Sequence, residues 1–186
     1  PVIDEAKLPQ HMYAMLAATA GVTSVSVAGD TVDALPVMIP STKSVFGEAH
    51  YSFTLAPTLG FDHAEATGAA LPANYELAAW APDALLGPAW PAIYAALGSA
   101  IHNDYPVIEG LLNAVHLDHS ITLKYTPEQM LERGITTIDV TSHVAAVDES
   151  SSGRIVTVAL ELKANGEHVG STQERFAIRG RATGNR

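Results

Sequence analysis

The spacing of apolar positions changes along the chain, from helical near the start to alternating in the second half. Residues 5 to 20 carry apolar side chains at helical spacing and stop at Gly21, a residue suited to the left-handed turn that follows a helix. The stretches "VTSVSVA" and "VFGEAHYSFTLA" come next and are rich in β-branched and aromatic residues. The pattern predicts one amphipathic helix followed by short strands.

A second, wholly apolar helix is predicted at "GPAWPAIYAALGSAI", after a long and partly ordered connection over residues 57 to 89. Its large side chains fall on one stripe, which consists of Trp90, Ile93, Tyr94, Leu97 and Ile101. The other faces are almost wholly Ala, Gly and Ser, and a helix without a charged side must be enclosed by the fold. Residues 84 to 101 reach the length of a membrane span, but internal Pro and Gly and the lack of flanking Lys or Arg favour a buried helix.

Four long strands follow this helix. Residues 111 to 125, 134 to 147, 153 to 164 and 167 to 180 alternate or run β-branched, and "ANGE" supplies an Asn-Gly hairpin turn between the last two. A run of strands after a buried helix predicts an α+β domain with a mostly antiparallel sheet. A central apolar helix wrapped by such a sheet is the hot-dog arrangement.

Composition narrows the class of function. The 186 residues contain no cysteine, which excludes thiol nucleophiles and thiolate metal sites, and a reducing, cytoplasmic compartment is expected. The net charge of −10 disfavours nucleic acid and anionic membrane surfaces as partners. The start, "PVIDEAKLPQ", has no basic region followed by an apolar run, so no secretory signal is expected.

Two histidines and an aspartate lie within four positions in "AVHLDHSITL". In a strand His119 shares a face with Ile121 and its apolar neighbours, whereas His116 and Asp118 share the opposite face. The two imidazoles would then point apart and could not bind one metal, so no metal site is expected. His119 is interpreted as a buried histidine with a hydrogen-bond partner rather than a catalytic base, and His116 and Asp118 as a solvated or interface face.

Other candidates for chemistry are weaker. "GFDHAEATG" places Asp62 beside His63 in a predicted loop, and Asp104 stands near a proline after the helix. Each could serve general acid-base catalysis, but adjacent loop residues without defined geometry are a signal of low specificity. His119 and His63 are therefore only weak catalytic candidates. Ser99, in "LGSA", lies inside the predicted helix and not at a nucleophile elbow.

Three arginines share one parity near the end of the chain. Arg175, Arg179 and Arg181 alternate with Phe176 and Ile178 in the last predicted strand. We interpret this pattern as an exposed outer face of the sheet, in preference to an anion site or a partner interface.

The stretches "WPAIYAAL", "PVIEGLLNAVHLDHSI" and "ERFAIRGR" resemble the dehydratase region of type I fatty acid synthases of the bacterial and fungal kind. The resemblance covers most of residues 45 to 181 and is most specific over residues 90 to 121. It implies a single hot-dog domain over residues 1 to 186 that is a segment of a large multienzyme. Residues 1 to 40 would be an N-terminal helix with short strands, and residues 41 to 186 the hot-dog body.

In that family several hot-dog units, related to MaoC-like hydratases, divide the work of dehydration in fatty acid biosynthesis. One unit carries the Asp and His that remove water from a 3-hydroxyacyl chain held on the phosphopantetheine of acyl carrier protein. Their pattern is Asp, any residue, Asn, Pro, an apolar residue and His, placed before the central helix. The approach to Trp90 has one aspartate and no histidine. The resemblance therefore implies the non-catalytic partner unit, inactive when isolated, without a cofactor of its own.

Such a unit would give an acyl chain an apolar wall, for which Trp90, Tyr94 and Leu97 are the candidates, with ordinary core packing as the alternative. Its partners would be other hot-dog units and domains of the same synthase, in a homo-oligomeric assembly, and acyl carrier protein. That carrier is itself acidic by the same resemblance, so the face of Arg175, Arg179 and Arg181 is the expected contact surface.

Two other functions stay open at this point. The chain could be a free-standing hot-dog hydratase or thioesterase acting on acyl thioesters, in which case His119 or His63 would be essential. It could instead be a pure interaction scaffold that binds no acyl chain and buries its apolar surface against neighbouring domains.

Overall fold

A computed structural model describes residues 25–27, 30–32, 47–68, 81–107 and 114–179. The helices are α1 (Leu59–Thr67), α2 (Leu86–Ser99), which follows a 3-10 turn at Pro82–Leu85, and α3 (Pro127–Glu132). The short strands are β1 (Val25–Val27), β2 (Asp30–Val32), β4 (Ile101–His102) and β5 (Tyr105–Pro106). The long strands are β3 (Glu48–Thr54), β6 (Ala114–Leu123), β7 (Thr137–Ser150), β8 (Gly153–Ala164) and β9 (Glu167–Arg179).

The five long strands form one antiparallel sheet in the order β3-β7-β8-β9-β6. The strand that precedes α2 and the strand that follows it therefore lie at opposite edges of the sheet. The three later strands fill the middle as consecutive hairpins, and α2 packs on one face. This is the α+β hot-dog fold that the order of elements predicts.

The core lies between α2 and the inner face of the sheet. Ile93 and Leu97 of α2 are completely buried against β-branched and aromatic side chains of the central strands. Ser142 of β7 is equally buried and donates a hydrogen bond of 2.6 Å to the carbonyl oxygen of Ala92. This bond fixes the helix to the sheet and satisfies a buried hydroxyl.

Helix α2 is not centred on the sheet. It packs mainly on β3 and β7 and makes fewer contacts with β8, so it does not cover the inner face of β6. Every described residue of β6 is at least partly exposed. The edge strand β6 is therefore bonded to β9 without being covered by the helix.

The predicted strands are confirmed, within about three residues at each end. Asn165 and Gly166 both have positive φ, 50° and 81°, in the turn between β8 and β9, as the Asn-Gly signal predicts. The predicted helix over residues 5 to 20 lies outside the described residues. No helix in the described part of the chain is long and apolar enough to cross a bilayer.

Two local expectations were wrong, and the placement of Ser99 inside the helix was correct. Asp62 and His63 lie in helix α1 and not in a loop. Ile101 is outside the central helix, because α2 ends at Ser99, and it is 64% exposed in β4. Ser99 itself accepts a hydrogen bond from the amide of Gly47 and donates one to the carbonyl oxygen of Ala95, so it is a structural link between β3 and α2.

The alternation predicted for β6 is correct only after a bulge. His116 pairs with Phe176 and Asp118 pairs with Arg175, so Leu117 is an extra residue between them. From Asp118 onwards the faces are as predicted, with His119 and Ile121 on the inner side. Before the bulge the faces are reversed, and His116 therefore lies on the inner side as well.

Candidate functional site

The bulge at Leu117 brings the two histidines of β6 together. Their rings stack with centroids 5.7 Å apart and planes only 10° from parallel. The expectation that the imidazoles point apart was wrong, because a one-residue bulge converts a spacing of three into same-face neighbours. His119 is also exposed and not buried, because α2 packs mainly on β3 and β7.

A buried carboxylate holds the first of these histidines. Glu174 of β9 has no exposed side chain, and one of its oxygens lies 2.9 Å from Nε2 of His116. Its other oxygen accepts a hydrogen bond of 2.9 Å from the hydroxyl of Thr172. The carboxylate is thus fixed from two sides, and it fixes the ring of His116, whose side chain is 37% exposed. A carboxylate that orients a partly exposed imidazole is an arrangement suited to proton transfer.

Aromatic rings surround the inner side of His116. Trp90 of α2 meets it edge-on at 6.2 Å between centroids, and Phe176 of β9 lies 5.4 Å away. Tyr94 packs on Trp90 at 5.2 Å, and burial raises the pKa of its phenol. The phenol therefore stays protonated at neutral pH and can act only as a neutral hydrogen-bonding group. We call Trp90, Tyr94 and Phe176 the aromatic wall.

An apolar groove continues along the same face of β6. It has a volume of about 390 Å³, and its apolar lining comes from Ile121, Leu123, Pro82 and Pro127. Its polar lining consists of Lys124, Thr126, Glu128 and Gln129. Ile121 follows His119 by two residues on the inner face, a distance of about 7 Å along a strand. Ile121 is thus the next inner-face residue of β6 after His119.

The outer side of β6 has a different character. Asp118 accepts hydrogen bonds from Nε and a terminal nitrogen of Arg175, the first at 2.7 Å, and this contact lowers the pKa of the Asp118 carboxyl. Val115 and Leu117 remain 48% and 44% exposed on the same edge strand. Within the part of the chain that the structure describes, β6 is thus an edge strand with apolar side chains exposed, a feature suited to pairing with another chain.

The remaining predicted site residues have diverse positions. Trp90 and Tyr94 are partly buried against the core, whereas Leu97 is completely buried within it. His63 lies 3.4 Å from Asp83. Arg175 and Arg179 are both exposed, as parity predicts, but the charge of Arg175 is engaged by Asp118. Arg181 lies outside the described residues.

Glu174 is the functional candidate that was missed from sequence. It lies on the same face of β9 as Thr172, Phe176 and Ile178, which are all buried. An acidic residue on the apolar parity of a long strand is the signal that could have revealed it, because a buried carboxylate needs a polar partner.

No family model matches the sequence, and no curated protein matches it. Among solved structures, the truncated HadBC complex of Mycobacterium tuberculosis, a 3R-hydroxyacyl-ACP dehydratase, aligns with a TM-score of 0.50 at 12% identity. The alignment covers 73% of this chain and 98% of that one. HtdX of the same organism aligns with a TM-score of 0.48 at 15% identity, over 71% of this chain and 51% of that one. A monoamine oxidase regulatory protein from Archaeoglobus gives 0.47 at 14% identity, over 75% and 93%.

At this level of identity the likeness to HadBC shows the fold, and it agrees with the strand order and central helix. The class that fold and site define is a hot-dog protein with an open inner face beside its edge strand.

Proposed function

We propose that this chain is an acyl-binding hot-dog unit of a 3-hydroxyacyl thioester dehydratase, of the type I fatty acid synthase kind, and that it works paired with a second hot-dog unit. The observation that carries the proposal is the uncovered inner face of β6, which has the aromatic wall at His116 and an apolar groove further along the strand at Ile121. A concave apolar surface with a few polar groups at one end is suited to an acyl chain whose thioester end needs orientation.

Pairing is supported by the edge strand. Among the described residues, β6 pairs with β9 and lies at the edge of the sheet, and its exposed Val115 and Leu117 are apolar. A sheet edge of this kind is a template for pairing with another chain. The solved HadBC protein is itself described as a complex, which supports a second hot-dog unit as the partner. Docking of acyl carrier protein would fall to Arg179 and Arg181, since Arg175 already binds Asp118.

Acyl binding can be tested on the isolated chain by tryptophan fluorescence. The sequence contains two tryptophans, Trp80 and Trp90, so Trp80→Phe leaves Trp90 as the reporter. Addition of a 3-hydroxyacyl thioester should change its emission with saturation. Ile121→Ala removes part of the groove lining and should weaken binding by about 1–2 kcal/mol, or five- to thirtyfold. Ile101→Ala, an exposed apolar residue outside the groove, is the matched control. Absence of a saturable change would favour the pure scaffold.

Dehydration is then measured with this chain alone and with the other hot-dog units of the assembly. Activity that needs the added units supports the proposal.

A second candidate, a free-standing acyl-thioester hydratase or thioesterase, is favoured by one observation, the 2.9 Å contact between His116 and the buried Glu174. It predicts turnover by the chain alone and loss of that turnover in His116→Phe, whereas His50→Phe, on the far edge strand β3, should retain it.

A further inference from the structure

Three potential metal ligands converge on the inner face between β6 and β9. The ring nitrogens of His116 and His119 and a carboxylate oxygen of Glu174 all lie within 4.8 Å of one another. Two residues come from the bulged edge strand, and the third comes from its neighbour. The convergence therefore depends on long-range strand pairing and not on a local sequence motif.

The donor set matches the chemistry of a transition ion. Two imidazoles and one carboxylate are a common set for catalytic zinc, which keeps a fourth position open for water or substrate. Imidazole-rich sites also bind iron, nickel and copper, in an order of affinity set by the metal. The partial exposure of His116 and His119 leaves a route from solvent to the ion, while Glu174 anchors the site from inside.

The surroundings of Glu174 resemble those of a ligating carboxylate. Thr172 donates its hydroxyl to the carboxylate oxygen that does not face His116. Metal-binding carboxylates are commonly held in this way by a neighbouring donor, which fixes the oxygen that binds the ion. The other oxygen of Glu174 contacts Nε2 of His116 at 2.9 Å.

A simple hydrogen bond between His116 and Glu174 explains only part of this arrangement. It gives no role to His119, whose ring lies parallel to that of His116 at 5.7 Å. Two imidazoles on one face of the sheet can instead act together as ligands of one cation. The nearest arginine on the paired strand, Arg175, is engaged with Asp118 on the outer face.

The required adjustment is small. Donor atoms bound to a tetrahedral zinc ion at about 2.0–2.1 Å lie about 3.3 Å apart. Glu174 and His116 are already closer than this, at 2.9 Å, and the remaining separations are at most 4.8 Å. Because His119 is exposed, rotation of its side chain can close that gap without disturbing the core.

We propose that His116, His119 and Glu174 bind one divalent first-row transition ion, with zinc as the expected occupant. The site is independent of the acyl-binding function, because it needs neither a substrate nor a partner unit. Asp118 is not a ligand, since it lies on the opposite face of the sheet.

The test is calorimetric titration of the chelator-treated chain with Zn²⁺. We expect one ion per chain, and at least about tenfold weaker binding in His119→Ala. His119 has an exposed side chain whose recorded ring contact is with His116, so this variant should fold normally. Glu174→Gln, which keeps the shape of the side chain, should also weaken binding.

The matched control is His50→Ala. His50 also has a glutamate partner at 2.9 Å, Glu48, but this pair is exposed and lies on β3 at the other edge of the sheet. Titration with Co²⁺, followed by its visible absorption, gives a second readout that reports the ligand set directly. Absence of stoichiometric binding by the unaltered chain would overturn the proposal, as would equal affinities of His119→Ala and His50→Ala. Neither readout uses an acyl thioester, so failure here is separate from failure of the proposed function.

Discussion

The contact between His116 and Glu174 joins a partly exposed imidazole to a fully buried carboxylate. The two partners should therefore differ in what their removal costs. Replacement of His116 by Phe keeps a ring against Trp90 and Phe176 but leaves the fully buried carboxylate with Thr172 alone. Replacement of Glu174 by Gln leaves an imidazole that is 37% exposed and can be hydrated. We expect His116→Phe to be the more destabilising substitution.

The magnitudes follow from the burial of the group that is left behind. Stranding one member of a buried ion pair costs about 3–5 kcal/mol, and the remaining Thr172 bond places His116→Phe at the lower end, near 3 kcal/mol. Glu174→Gln exchanges a charged hydrogen bond for a neutral one, at about 1 kcal/mol. The predicted difference is about 2 kcal/mol in the free energy of unfolding.

Urea denaturation at pH 7, followed by circular dichroism, measures this difference. His116→Gln, which keeps an N–H donor for the carboxylate, is the rescue variant and should recover part of the loss. If Glu174→Gln is as destabilising as His116→Phe, the burial of the carboxylate does not govern the energetics and the reasoning fails.

Three further results are expected. Gly170→Ala should destabilise the fold by about 1–3 kcal/mol in urea titration, because a β-carbon there would lie 2.9 Å from the carbonyl oxygen of Thr122 and push β6 from β9; unchanged stability would contradict this. Burial raises the pKa of Tyr94, so its contribution to stability is present below pH 10 and lost as pH rises through the folded pKa. Thermal unfolding from pH 9 to 11 should therefore show a smaller loss in Tyr94→Phe, and equal losses would argue against a buried phenol. Leu117→Glu should weaken association with a second hot-dog unit, measured by light scattering, whereas Ile101→Glu, equally apolar and exposed, should not; parallel loss in both would exclude β6 as the interface.

Most of the fold could be predicted because period-2 alternation is a local property. The span of β8 and the Asn165–Gly166 turn are visible in the sequence itself. Helix α3 carries a comparable local signal, since Thr126 and Gln129 form a capping box in which each side chain bonds the other's backbone, although the helix was not predicted.

The candidate site was only partly predictable, because it depends on pairing between distant strands. The alternation around His116 gives no sign of the bulge at Leu117, which exists only relative to β9. Tyr94 and Leu97 are one turn apart in the same helix, yet only Tyr94 reaches the open face. The position of α2 over β3 and β7 decides this, and no local pattern reports it.

Because α2 is placed off-centre, the residues that must preserve core packing and the residues of β6 that carry the candidate site lie on different strands. Substitutions in the central strands must preserve close packing, while β6 carries both histidines and contributes little buried surface. After duplication, two copies of such a domain could diverge along β6, one gaining and one losing reactive side chains, without loss of the common scaffold. The architecture thus lets sister copies specialise by changing a single edge strand.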